Sequence, residues 1–187
     1  MKKLSSTFFL CLIFLLFSSC APDLTDDVEW AYDVAKNNSG SGSDSSSGSC
    51  TTIDGNIWSP KASSTMSWSD AIDYCNNLTA CGYSDWHLPT ISELRTLIQN
   101  CPGTVTGGSC GVTDSCLSYS SCWDEDSCWS CRYDDSGKYS KLGDTGWFWS
   151  SSTPSEHADR AWSVNFNYGF VGRYVKDNYN NYVRCVR

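Results

Sequence analysis

The sequence predicts a small α+β domain stapled by disulfides. Three observations carry this. Apolar residues recur at helical spacing early in the chain, strand-type alternation appears late, and ten cysteines lie between Cys50 and Cys185. Helices followed by antiparallel strands give the α+β plan, and cysteines compensate for a low aliphatic content.

The N-terminal segment is a targeting signal and lies outside the fold. Lys2 and Lys3 precede an apolar stretch from Thr7 to Phe17, which is too short to span a bilayer. Ser18-Ser19-Cys20 then resembles a bacterial lipobox, with Phe17 where Leu, Val or Ile is usual. The expectation is a signal peptide over 1–19 and lipidation at Cys20; an ordinary secretory signal cut near Ala21 is the alternative. Ala21 is not the aspartate that marks inner-membrane retention in many lipoproteins, which favours a lipid-anchored place in the cell envelope, at the outer membrane. Residues 39–49 are serine, glycine and one aspartate. They cannot bury enough apolar surface to fold, so 20–49 reads as a lipidated N-terminus and flexible linker, and 50–187 as the domain.

Within the domain, Asp54-Gly55 is a turn and Asn56-Ile57-Trp58 the first strand. Trp68, Ala71, Ile72, Cys75 and Leu78 share one helical face, with Ser67 or Ser69 as the cap. A second helix begins at the capping box formed by Thr90 and Glu93. Its stripe is Ile91, Leu94, Leu97 and Ile98, and Cys101-Pro102-Gly103 ends it. Residues 103–146 have few aliphatics, and Cys110, Cys116, Cys122 and Cys128 recur every six residues. They read as a long surface excursion with no helix, a cysteine-rich insertion at about 101–131. Strands return at Trp147 to Ser150, and at Ala161 to Phe166, where Trp162, Val164 and Phe166 alternate with Ser163 and Asn165 as in a half-buried strand. A turn at Asn167-Tyr168-Gly169 leads to a return strand from Phe170 to Val175. Tyr182 to Val186 is the last strand.

Ten cysteines remain after Cys11 and Cys20: Cys50, Cys75, Cys81, Cys101, Cys110, Cys116, Cys122, Cys128, Cys131 and Cys185. In an oxidising compartment they read as five disulfides, and spacing leaves their pairing open. A redox pair or zinc site at Cys128 and Cys131 is the weaker reading, because no strand-then-helix pattern surrounds them. The formal net charge is −8, and −10 once Lys2 and Lys3 leave with the signal. Such a surface repels nucleic acid, which is excluded as a partner; contact with the membrane comes through the lipid anchor.

Several ordered blocks resemble the Lcl C-terminal domain family, which is related to the Fibrobacter major paralogous domain. They are Trp68-Ser69-Asp70-Ala71 with Tyr74-Cys75 and Leu78; Gly82 with Asp85-Trp86-His87-Leu88-Pro89-Thr90 and Glu93-Leu94; Trp149-Ser150-Ser151; Ala161-Trp162-Ser163-Val164 with Phe166 and Gly169; and Lys176 with Val183-Arg184-Cys185-Val186-Arg187. His87 stands where the family usually has arginine. The resemblance covers about 54 to 187, with the segment from Cys101 to Cys131 extra to the core pattern. It implies a C-type-lectin-like fold with two helices, a small antiparallel sheet and long loops. By the same analogy Cys75 pairs with Cys185.

Nothing in the sequence marks an enzyme, so no catalytic residue and no cofactor is assigned. His87 and His157 are the two histidines, each in a structural or loop context, and no nucleophile-elbow motif accompanies the serines. Asp124, Glu125 and Asp126, followed by Asp134 and Asp135, offer the hard oxygen ligands that calcium takes; a solvated acidic loop is the plainer reading, since lectin calcium triplets are missing. The aromatic residues are the stronger lead. Trp123, Trp129, Tyr168, Tyr174, Tyr179 and Tyr182 lie in or beside loops, where rings stack on sugars or anchor protein interfaces. Trp147 and Trp162 read as core, and Tyr179 and Tyr182 as surface. The expected function is an envelope-anchored binding module, with glycan binding or adhesion first and a protein-binding or self-associating module as the alternative.

Overall fold

The computed structural model describes residues 48–134 and 139–187, which form a small α+β domain. The signal peptide, Cys20, most of the linker and Asp135 lie outside the described residues. Among those described, no helix is long and apolar enough to cross a membrane.

Strand β1 (Thr51–Ile53) turns through Asp54 and Gly55, both at positive φ, into β2 (Asn56–Trp58). Helix α1 (Trp68–Asn76) starts where the Ser67 hydroxyl accepts the Asp70 amide, and it buries Ala71 and Cys75. Helix α2 (Ile91–Thr96) has both halves of its capping box: the Glu93 amide donates to Thr90 Oγ1 at 3.2 Å, and the Thr90 amide to Glu93 Oε2 at 2.8 Å. The helix ends sooner than its apolar stripe predicts. Leu97 and Ile98 stay in the core, but Lys141 N donates to Leu97 O and Gln99 N to Tyr139 O, so the chain pairs with 139–141 instead of coiling on.

The cysteine-rich segment differs most from expectation. It holds two single-turn helices, α3 (Tyr119–Cys122) and α4 (Glu125–Cys128), and it is not a surface excursion. Cys101, Cys110, Val112, Cys122 and Cys128 are buried in the main core beside Ile91, Leu94 and Trp162. Paired half-cystines are apolar and compact, so they fill the interior that missing aliphatics would otherwise occupy. The bridges are Cys50–Cys81, Cys75–Cys185, Cys101–Cys131, Cys110–Cys128 and Cys116–Cys122. Cys128 and Cys131 therefore bond to different partners and not to each other. Buried Arg95, on α2, holds the segment against the helix by donating to the carbonyls of Thr104, Val105 and Val112.

Strands β3 (Trp147–Trp149), β4 (Arg160–Asn165) and β5 (Phe170–Val175) form an antiparallel sheet in that order. The middle strand is not half-buried. Trp162 and Val164 enter one core cluster and Ala161 the other, which leaves Ser163 and Asn165 buried as well. Asn165 uses its side-chain oxygen to accept the Asn167 amide and so holds the hairpin turn. The C-terminal run is a stitch more than a strand. Val186 bridges Trp58 and His87, Tyr182 bridges Phe148, and Arg187 exchanges main-chain bonds with Ile57.

Candidate functional site

The two outer edges of the sheet are unlike. On β3, Trp149 N donates to Tyr182 O at 3.1 Å and Tyr182 N to Trp147 O at 2.9 Å, so that edge is covered. Among the described residues, the edge of β5 has no such main-chain cover. Lys176 N donates to Asp159 O at 2.9 Å, just beyond the Arg160↔Val175 pair. Bonded and non-bonded pairs alternate along an antiparallel ladder, so Phe170, Gly172 and Tyr174 bond inward to β4. The N–H and C=O groups of Val171, Arg173 and Val175 therefore point outward. The indole of Trp123 takes the Val171 carbonyl at 2.7 Å. Among the described residues, nothing bonds to the main-chain groups of Arg173 or Val175 on that side.

A groove of about 240 Å³ follows this edge. Gly172 sets one side of it: a Cβ there would come within 3.0 Å of the Phe170 ring and 3.3 Å of Trp147, so glycine lets Trp147 lie across the strand. Trp147 meets Phe170 edge-on at 5.3 Å and Tyr174 at 4.6 Å. The facing wall comes from the cysteine-rich segment. Tyr119 and Trp123 stack at 4.9 Å, and the Arg173 guanidinium lies 3.5 Å over the Tyr119 ring. Glu156 fixes that wall by capping α3. Its carboxylate accepts from the Ser118 hydroxyl, from the Tyr119 amide at 2.8 Å and from the Ser120 hydroxyl at 2.9 Å. The Ser118 bond foremost, then the Tyr119 amide, holds its pKa down at about 2.

The groove is cationic in an acidic protein. Arg160 and Arg173 are its charged lining residues, with no carboxylate among the rest. Asp159 approaches Arg160 Nε only to 3.9 Å and is itself largely exposed. Nε and Nη1 of Arg173, and Nε of Arg160, are buried and find no hydrogen-bond acceptor among the described residues. Burial raises the pKa of the Tyr174 phenol, with the Tyr179 phenol adding to the shift, so Tyr174 stays protonated and neutral.

Of the six rings expected to bind ligand, four are linked here. Trp123 and Trp129 pack on Phe170 at 6.4 Å and 5.0 Å, and Tyr179 meets Tyr174 at 4.7 Å. Tyr168 sits apart, exposed in the β4–β5 turn. Tyr182 is not displayed: it is half-buried against Phe148 at 5.5 Å, with Lys61 over its ring. Trp162 is fully buried, but Trp147 is only partly buried and lines the groove instead of the core. Tyr119, Phe170, Arg160 and Arg173 escape sequence reasoning. The available signal was Gly172, a glycine inside a strand pattern, which often marks close approach by another group.

The acidic triplet is used locally. Asp124 caps α4 by accepting the Ser127 amide, and that bond lowers its pKa. Glu125 and Asp126 face Arg132 at 3.4 Å and 3.8 Å. Among the described residues, no three acidic, histidine or cysteine side chains gather as a metal cluster. His87 pairs with Glu93 at 3.1 Å, and His157 meets Tyr119 edge-on.

No curated protein matches the chain. The sequence pattern of the Lcl C-terminal domain does match, over residues 23–187, which takes in the whole described domain, cysteine-rich segment included. The chain belongs to the Lcl C-terminal domain family.

Proposed function

We propose that this domain is an adhesive binding module presented outside the cytoplasm, and that it recognises a protein ligand in the groove along β5. The observation that carries this reading is the stretch of β5 edge at Arg173–Val175, unpaired among the described residues and lying inside a groove with aromatic walls. Unpaired strand edges recruit strands from other chains, and proteins that do not use such edges usually cover or charge them. The five disulfides support an oxidising compartment, and the lipidated Cys20 expected from the sequence would tether the domain there.

Glycan binding is the second reading, favoured by Tyr179, which is half exposed beside Tyr174. It takes second place because most other rings of the groove turn their faces to one another: Tyr119 to Trp123 and Arg173, and Trp129 to Phe170. A sugar needs a free ring face. The module is non-catalytic in this reading.

The test screens the purified, oxidised protein against a displayed-peptide library and a glycan array in parallel, with Trp147→Ala as the groove variant. Peptide ligands that the variant loses support protein recognition. Glycan ligands alone, lost in the variant, would replace it with the second reading. Ligands indifferent to Trp147→Ala would move the site elsewhere.

A further inference from the structure

We infer that the partner is an extended acidic peptide that adds a fourth strand to the sheet at Arg173–Val175, with a carboxylate opposite Arg173. This rests on the protein-binding reading and gives the partner its chemistry.

The edge fixes where pairing occurs. Trp123 occupies the Val171 carbonyl, so a visiting strand cannot pair there. What remains are the outward N–H and C=O groups of Arg173 and Val175, enough for a short ladder. An added strand lies about 4.8 Å away, and its side chains alternate between the two faces of the sheet. Directly opposite residues share a face. A peptide residue opposite Arg173 therefore meets Nη2 of Arg173 and the Nη atoms of Arg160, which stands diagonally across the β4–β5 pair, the other guanidinium nitrogens being buried. Its two neighbours turn to the other face, beside Trp147 and Tyr174. The recognised pattern is thus an acidic residue flanked by apolar or aromatic ones.

Charge selects the occupant. Two arginines without a lining carboxylate, in a chain of net charge −8, form a local positive seat on an acidic molecule. A second copy of this chain is the natural competitor for a free edge. Antiparallel self-pairing centred on Arg173 would set that arginine opposite its own counterpart, with both Arg160 side chains close by. Like charges directly opposite destabilise a sheet. The edge is therefore guarded against itself and open to an acidic strand.

The test uses fluorescently labelled peptides of about eight residues that alternate valine and glutamate, a length that matches a strand. Anisotropy is read on the whole oxidised protein. Three companions replace glutamate by glutamine, replace it by lysine, or carry N-methyl groups along one edge. The glutamate peptide should bind, its affinity should fall with added salt, and it should weaken about tenfold on change to glutamine, the value of a lost charge-assisted hydrogen bond. N-methylation should abolish binding. On the protein, Val175→Pro removes an outward N–H while leaving the bonds to β4, and should cost affinity much as N-methylation does. Arg173→Lys should retain part of the binding that Arg173→Gln loses, and the salt dependence of the unaltered protein serves as evidence should either variant misfold. Equal binding of the N-methylated peptide would overturn strand addition, and equal or better binding of the lysine peptide would overturn the acidic preference. If no acidic peptide binds while library peptides still depend on Trp147, this inference fails and protein recognition stands; if the library also yields nothing, both fail.

Discussion

Two charged side chains do structural work that can be measured. Glu156 is exposed, yet three donors at the start of α3 keep its pKa near 2, against an ordinary 4.5. A carboxyl with a depressed folded pKa stabilises the fold fully above its unfolded value and stops doing so as pH falls through its folded value. The cap should therefore weaken between about pH 4.5 and pH 2, and Tyr119 with it. Melting temperature against pH checks this: Glu156→Gln should flatten the acid limb in that window and leave the neutral region lower. Arg95 is the converse case, a buried cation bound only to carbonyls. Burial lowers its pKa, but an arginine remains charged. Arg95→Leu would leave those carbonyls unmet and should destabilise by about 3 kcal/mol, seen as a shift of the urea midpoint.

At the scale of elements, what the sequence disclosed was local and what it concealed was tertiary. The Thr90–Glu93 box and the Ser67 cap were legible because a cap depends on residues three apart. The hairpin from Asn165 to Phe170 was legible for the same reason. The end of α2 was not, since pairing with 139–141 decides it from forty residues away. The burial of Ser163 and Asn165 was hidden too, because alternation cannot tell that both faces of β4 are covered. The groove was half visible: its rings drew notice as rings, but only the fold brings Phe170, Arg160 and Arg173 beside them. The bridges between elements should differ in weight. Cys75–Cys185 closes a separation of 110 residues and Cys116–Cys122 one of 6. In the chain-entropy account their removal costs about 5 and about 2 kcal/mol respectively. Paired Cys→Ala variants, compared by denaturant unfolding, should keep that order.

The described residues form a domain whose interior is divided into two apolar clusters with the sheet between them. The cluster holding the cysteine-rich segment also carries the wall of the groove, so rigidity and recognition share residues: Cys122 is buried there and Trp123, next in sequence, reaches the β5 edge. Outside the described residues, the expected tether at Cys20 has a direct check. Labelling with an alkyne palmitate in a bacterial host should mark the protein, and Cys20→Ser should abolish the label while leaving secretion intact. Incorporation that persists in the variant would remove the anchor.

The first two disulfides also shape how the domain bears load. A pull entering at Cys50 passes through its bridge to Cys81, runs six residues back to Cys75, crosses to Cys185 and reaches Arg173 after twelve more. Eighteen residues of extensible backbone lie on that path, against 123 along the chain itself. At full stretch this is about 60 Å in place of about 400 Å. A strand held at β5 against a tethered N-terminus would be drawn on a short covalent cable, with most of the chain spared the tension.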